Sequence, residues 1–184
     1  RADVDIAYSE GFSPHQIMSF AAPLGVGLTS KGEYLDIEVH STNDSKSMIK
    51  QMNSVMVDGT EIISYRRLFD ESKNAMSQVV AADYIVKFRN NDILDIDLIN
   101  KFQNFINQQS IEILKKTKKS ELTVDIKPMI YMTKINDDKS ILMKLATGSA
   151  NNLKPNLVMQ AFAEYADFEI HEFSLLIERL ELYG

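Results

Sequence analysis

The residues best suited to chemistry lie in one short segment near the start of the chain, which contains Ser9, Glu10, Ser13 and His15. A histidine can act as a general base toward a neighbouring serine hydroxyl, and a carboxylate can orient that histidine. One hypothesis is therefore acid–base or nucleophilic catalysis on RNA or a nucleotide. The other is structural, because serine and histidine commonly hydrogen-bond to the backbone in tight turns. The structural hypothesis is favoured, and no catalytic residue is assigned.

Ligands for metals and cofactors are few in this sequence. The absence of cysteine excludes thiolate metal sites and iron–sulfur clusters held by this chain. The three histidines are far apart and form no H-x-x-x-H pattern. Glu33, Asp36 and Glu38 lie on a predicted strand, where acids usually form its solvent-exposed face. We therefore predict no metal and no cofactor.

A second candidate is an anion site in front of a predicted helix. Residues 148–152 precede Pro155, and the backbone N–H groups at the start of a helix attract anions. Ser149, Asn152 and Lys154 would line this site. The favoured alternative is an ordinary capped loop, since loops before helices are routine.

The composition is that of a globular protein, with 45% hydrophobic and 25% charged residues. A net charge of −6 disfavours a general nucleic-acid binder, because binding phosphates requires clustered Lys and Arg. A local run, Lys115, Lys116, Lys118 and Lys119, favours RNA only weakly, because no aromatic residues adjoin it. Neither a membrane span nor a signal peptide is expected, and we predict a cytoplasmic protein with no membrane partner.

The elements that must position these residues follow from hydrophobic periodicity. Residues 33–40 alternate between polar and apolar side chains, which predicts a half-buried strand. The apolar segment 17–28 is interrupted by proline and glycine, so a strand leading into a bend is expected. Residues 45–56 have helical spacing, and residues 61–68 predict another strand.

The second half of the chain has clearer signals. Alternation and helical spacing predict six further elements and one turn. These are a strand at 82–88, a turn at 90–92, a helix at 96–106 with Asp95 as N-cap, a short strand at 111–114, a hairpin at 122–145 with its tip at 136–138, a helix at 155–165 and a strand at 173–182.

This order of elements predicts an α+β protein made of two ferredoxin-like (split βαβ) halves with antiparallel sheets. The first half, residues 1–78, carries the Tyr-Ser-Glu-Gly-Phe loop and lacks the opening strand and helix of that unit. We expect these two elements to precede Arg1. Residues 79–184 form the second half.

One segment, residues 7–39, reads AYSEGFSPHQIMSFAAPLGVGLTSKGEYLDIEV. It resembles the hallmark of the radical-SAM-linked family, the uncharacterised bacterial domain DUF2344. Gln16 and Ile17 depart from the family's usual Pro-Lys, which removes a positive charge from the turn. The later segments VDIKPMI and GSANNLKPNLVMQAF also resemble this family, so the resemblance spans essentially the whole chain. The matching positions of the hallmark are Tyr8, Ser9, Glu10, Gly11, Phe12, Pro14, His15, Ser19, Phe20, Pro23, Leu24, Gly27, Ser30, Glu33, Tyr34, Asp36 and Glu38.

The resemblance implies association with, or fusion to, a radical SAM protein that has a B12-binding domain, often encoded near ribonuclease E/G and ribosomal proteins. It supplies no reaction, and cluster chemistry would belong to the partner. The favoured hypothesis is an accessory module that docks this partner and presents RNA or a ribosomal substrate. A stand-alone enzyme using Ser9, Glu10 and His15 is the alternative.

Under the favoured hypothesis, ten residues of the hallmark form a binding surface: Ser9, Glu10, Gly11, Phe12, Pro14, His15, Ser19, Glu33, Tyr34 and Asp36. A purely structural role for the segment is also consistent with the sequence. In that case Gly11 and Gly27 would be required because the loop needs positive φ at these positions.

Overall fold

The structure is a computed structural model that describes residues 1–69, 71–89, 94–116, 121–171 and 173–184. It is a mixed α+β protein, as the sequence predicts. The elements along the described residues are β1 (Met18–Phe20), β2 (Leu28–Ser30), β3 (Leu35–Ile37), α1 (Ser45–Asn53), α2 (Ala75–Gln78), β4 (Ala81–Phe88), α3 (Ile96–Ile106), β5 (Glu112–Lys116), β6 (Glu121–Asp125), a 3₁₀ turn (Lys127–Met129), β7 (Ile130–Ile135), β8 (Ile141–Ala146), α4 (Pro155–Ala166) and β9 (Leu175–Tyr183).

A five-stranded sheet with the order β2-β9-β4-β8-β7 forms the centre of the fold. Neighbouring strands are antiparallel except for β2, which runs parallel to β9. The sheet is therefore mixed, whereas the sequence predicted antiparallel sheets. Two further sheets, β1–β3 and β5–β6, are antiparallel pairs.

The core lies on one face of the central sheet, beneath α3 and α4. Alternate residues of β4, namely Ala82, Tyr84, Val86 and Phe88, are buried there, as the period of a strand requires. The helices contribute a group of packed aromatic rings that includes Phe162 of α4. The predicted helices and strands of this part are confirmed to within a few residues, except for the hairpin predicted at 122–145. Only β7 and β8 form that hairpin, because β6 pairs with β5 and a 3₁₀ turn separates β6 from β7.

The starts of both helices follow local signals that the sequence carries. The side chain of Asp95 accepts a hydrogen bond from the backbone N–H of Leu98 at 2.9 Å, which confirms it as the N-cap of α3. Pro155 is the first residue of α4. Proline is favoured at this position because the backbone N–H that it lacks would have no acceptor within the helix.

A bulge in β9 changes which face its side chains occupy. Arg179 is paired with Tyr84, but the next pair along the ladder is Glu181 with Asp83, so Leu180 is an extra residue. An extra residue in one strand reverses its inward–outward alternation beyond that point. Arg179 therefore shares the core side of the sheet with Tyr84, whereas Glu181 and Tyr183 lie on the opposite face.

Residues 1–78 depart most from the sequence predictions. The predicted strand at 17–28 is two strands, because β1 ends before Pro23 and the chain turns through Gly27 before β2 begins. The predicted strand at 61–68 is wrong, since the residues there have no regular secondary structure. Helix α1 ends at Asn53 rather than at residue 56, and the short helix α2 was not predicted.

Several sequence predictions stay untested by the described residues. The predicted turn at 90–92 and Lys118 and Lys119 lie outside them. The boundary between residues 78 and 79 also stays a prediction, and the β2–β9 pairing crosses it. No helix in the described part of the chain is long and apolar enough to span a bilayer.

Candidate functional site

The hallmark segment begins with a closed turn, residues 8–16, at the surface. Tyr8 and Gln16 form an antiparallel bridge, and the N–H of Ser9 donates to the carbonyl of His15 at 2.8 Å. Gly11 has φ of +113° with open space around it, so its backbone conformation, not crowding, requires glycine. Gly27 also has positive φ, which confirms both positions expected from the sequence.

Ser9 and His15 are in contact across this turn. The hydroxyl oxygen Oγ of Ser9 lies 2.9 Å from Nδ1 of the imidazole and accepts a hydrogen bond from the backbone N–H of His15 at 3.1 Å. A serine hydroxyl bonded to an imidazole is the first half of a nucleophile–base pair. The same two bonds also brace the turn, which is the structural role expected of these residues.

A catalytic pair needs a third group that orients the base, and none of the described residues forms such a bond to His15. Glu10 is exposed and makes no hydrogen bond within the described ranges, so it does not orient His15. Pro14 and His15 are also exposed, which leaves the imidazole in water. Charged and polar groups stabilise a transition state most strongly in enclosed sites that exclude water, and this turn is not such a site.

Apolar side chains are exposed along the segment that follows. Residues 11–30 contain no Asp, Glu, Lys or Arg, although such residues make up 25% of the chain. Phe12 and Val26 are fully exposed, and neither contributes to the core. Both therefore present apolar surface to solvent in a segment that lacks charge.

The antiparallel pair of β1 and β3 adds a second exposed apolar group. Phe20 is directly opposite Leu35, and Met18 lies two residues along the same strand, so the three side chains share one side of this pair. All three are at least one-third exposed. We call Met18, Phe20 and Leu35 the β1–β3 face. The other side carries Ser19, which is half-buried opposite Asp36.

Glu33 is not a free surface acid, because it neutralises a buried arginine. Arg179 is only 3% exposed, and its Nε donates to Oε1 of Glu33 at 3.0 Å. Its Nη2 donates to Oε2 of the same carboxylate and to the carbonyl of Ala22 at 2.6 Å. A guanidinium suits this arrangement because its planar donors match the two carboxylate oxygens. The contact attaches the hallmark segment to β9.

Tyr34 and Asp36 are also bound to other parts of the chain. The hydroxyl of Tyr34 donates to Oε1 of Glu181 at 3.2 Å. The negative charge of Glu181 raises the pKa of Tyr34, and partial burial acts in the same direction. The carboxylate of Asp36 accepts the backbone N–H of Ala75 at 2.6 Å, at the start of α2.

The structure thus divides the ten predicted surface residues into two groups. The residues from Ser9 to His15 form an exposed turn, whereas Ser19, Glu33, Tyr34 and Asp36 face or bind neighbouring elements. Arg179, which binds Glu33 of the second group, was not among the residues predicted from the sequence. The available signal was an arginine among the apolar residues of a strand, since arginine is rarely buried unless paired.

The residues of the predicted anion site lie at the surface in front of α4. Ser149, Asn152 and Lys154 are exposed, and their side chains form no hydrogen bond within the described residues. Lys154 is the N-cap of α4 without a side-chain capping bond. A Cβ on the neighbouring Gly148 would lie 2.4 Å from the carbonyl oxygen of Val79, so packing alone explains that glycine. The anion site stays a prediction.

These observations define a mixed α+β module with an exposed turn and an uncharged, apolar segment beside it. The chain belongs to the family described as an uncharacterized protein conserved in bacteria (DUF2344), whose model matches residues 1–155. Arg179 and Glu181 lie beyond the matched residues. No curated protein and no solved structure matches the chain.

Proposed function

We propose that this protein is an accessory module that docks a partner enzyme through the turn at residues 8–16 and the β1–β3 face. The exposure of Phe12 carries the proposal. An aromatic side chain held in water gains free energy only when another surface covers it, and aromatic residues dominate protein interfaces. The turn that presents Phe12 is braced by Ser9 and His15, which lowers the entropy lost on binding.

The proposed partner is a radical SAM protein with a B12-binding domain, and membership of DUF2344 supports this choice through the association that the resemblance implies. Cluster and cobalamin chemistry would then be the partner's, since this chain has no cysteine. The substrate presented to the partner would be RNA or a ribosomal component. The proposed location is the cytoplasm, a reducing compartment in which cluster thiolates persist.

We also propose that residues 79–184 adopt the ferredoxin-like arrangement. Without the inserted β5–β6 pair, the elements run β4-α3-β7-β8-α4-β9, which is the β-α-β-β-α-β order of that motif. The strand order β9-β4-β8-β7, with every neighbour antiparallel, supports the same arrangement. Such a rigid unit would support the docking segment through β9.

The replacement Phe12→Ala is expected to weaken binding to the partner about 30-fold, as loss of an aromatic anchor worth about 2 kcal/mol does. Stability should not change, because the side chain has no core contact. Calorimetric or surface-based titration of the purified partner with the variant measures the effect. Phe69→Ala is the matched control, because Phe69 is also highly exposed but lies outside the docking segment.

Equal affinities of the wild-type chain and Phe12→Ala for the partner would contradict the docking proposal, provided that both proteins are folded. Titrations repeated with total RNA test the substrate, since a ternary complex should bind more tightly than the pair. Tyr34→Ala, which the sequence alone would suggest as a probe, is unsuitable. It also removes the hydrogen bond to Glu181.

A stand-alone enzyme is the second candidate, and the 2.9 Å contact between Ser9 Oγ and His15 Nδ1 favours it. This alternative predicts that the chain turns over RNA or a nucleotide without a partner. His15→Ala would then lower the rate by about 100-fold or more, the usual contribution of a general base. Ser9→Ala should do the same, whereas Ser13→Ala, an exposed hydroxyl in the same turn, should not. Turnover that survives His15→Ala would exclude this mechanism.

A further inference from the structure

The central sheet has a second face, opposite the one that packs against α3 and α4. The residues of β4 and β8 that alternate with the buried ones, such as Ile85 and Leu142, lie on it. We call this the open face. Residues that lie directly opposite each other on neighbouring strands share one side of a sheet. The strand register therefore extends the open face from β7 to β9. It comprises one row of Met132, Lys144, Asp83 and Glu181, and a second row of Lys134, Leu142, Ile85 and Glu178.

The open face has the composition of an interface centre with a charged margin. Ile85 and Leu142 are half-buried in the middle of the second row. Met132 and Leu176 are more exposed, at 38% and 44%. Apolar residues at the centre with charged residues around them are typical of protein–protein contacts.

Charge is unevenly distributed across this face. Lys134 and Lys144 lie on β7 and β8. Asp83, Glu178 and Glu181 lie on β4 and β9, together with one lysine, Lys87, which is paired with Asp138 at 2.7 Å. Lys134 forms no ion pair or hydrogen bond within the described part of the chain. The carboxylate of Asp83 is ion-paired with Lys144 at 3.7 Å, and its Oδ2 accepts a hydrogen bond from the hydroxyl of Tyr183 at 2.7 Å. Its Oδ1 is buried without a hydrogen-bond partner among the described residues.

We propose that a second copy of this chain covers the open face. A two-fold axis that lies between the two sheets and runs along the strands places β7 of one copy over β9 of the other. Lys134 then faces Glu178 at two equivalent places, beside the exposed Lys31 that already lies 4.0 Å from Glu178, and the apolar centres meet. An axis across the strands would instead put lysine over lysine, so the charge pattern selects one orientation.

The accessible area of the whole chain is 13008 Å², whereas a compact monomer of this mass has about 9000 Å². The excess comes from residues 56–69 as well as from the docking segment and the open face. A standard interface removes about 800 Å² from each partner. Pairing through the free edge of β7 is less favoured, because a bulge at Tyr131 and the charge of Lys134 both discourage edge pairing.

Analytical ultracentrifugation of the purified chain from about 1 to 100 μM tests this assembly. The expected mass at the upper end is twice 20.9 kDa. Lys134→Glu should raise the dissociation constant about tenfold or more, because it puts like charges together at two equivalent places. The double variant Lys134→Glu with Glu178→Lys should restore the dimer. Lys154→Glu is the control, with the same change of charge on an exposed residue before α4.

Two results would overturn the proposal. The first is a monomer throughout the concentration range, and the second is a dimer that withstands Lys134→Glu as well as it withstands Lys154→Glu. Far-ultraviolet circular dichroism of each variant shows that it is folded before the masses are compared. The docking proposal does not depend on either result, since Phe12 is not part of the open face.

Discussion

Replacing Arg179 by alanine is expected to lower the free energy of unfolding by about 3–5 kcal/mol, which is the usual cost of removing one partner of a buried ion pair. The guanidinium satisfies both oxygens of Glu33 and the carbonyl of Ala22, and it is almost fully buried. Its loss leaves a half-buried carboxylate without its counter-ion. Urea denaturation followed by circular dichroism measures the change.

The control for this effect is Lys31→Ala. Lys31 forms an exposed ion pair with Glu178 at 4.0 Å on the same edge of the sheet, and such a pair contributes about 0–1 kcal/mol. A joint replacement of Arg179 and Glu33 by methionine should recover most of the lost stability, because no buried charge then remains. If Arg179→Ala were as stable as Lys31→Ala, the ion pair would not anchor the hallmark segment.

Replacing Phe162 by alanine is expected to have a comparable effect, about 3–5 kcal/mol, through the cavity it leaves in the core. Its ring lies edge-on to Phe102 with centroids 5.0 Å apart and contacts Phe105 and Phe168 at 5.6 and 5.4 Å. It thereby joins α4 to α3. The midpoint of thermal or urea unfolding should fall accordingly.

Phe69→Ala, the same change at an exposed position, should leave the midpoint within about 0.5 kcal/mol of the wild type. A small loss for Phe162→Ala would mean that the site collapses around the missing ring. Such a result would contradict the close packing of the two helices seen here. Binding to the partner should be unchanged by Phe162→Ala as long as the variant is folded, because Phe162 is fully buried and is not part of the docking segment.

The sequence by itself determined the elements with strong local periodicity. Patterns of a few residues predicted the helix at 96–106 with its Asp95 cap, the helix that begins at Pro155, and the strands at 82–88 and 173–182. Each pattern records which side of an element is buried, and this is a local property. The proximity of Ser9 and His15 was also expected, since they are only six positions apart in the chain.

Other features depended on contacts between distant parts of the chain. Strands of three residues, such as β2, have too little alternation to reveal a partner, so its parallel pairing with β9 could not be predicted. The bulge at Leu180 likewise leaves no periodic signal strong enough to show where the alternation reverses.

The candidate site was likewise predicted in part from the sequence and decided in part by the tertiary structure. The hallmark identified the segment, but only the tertiary structure separated its exposed turn from the residues that attach it to the fold. Glu33 and Arg179 are 146 positions apart, and Tyr34 and Glu181 are 147 apart. From the sequence alone, an acidic side chain on a strand can either face solvent or pair with a buried arginine. The choice depends on which side chain the completed sheet brings beside it, because burial makes pairing of the charge obligatory.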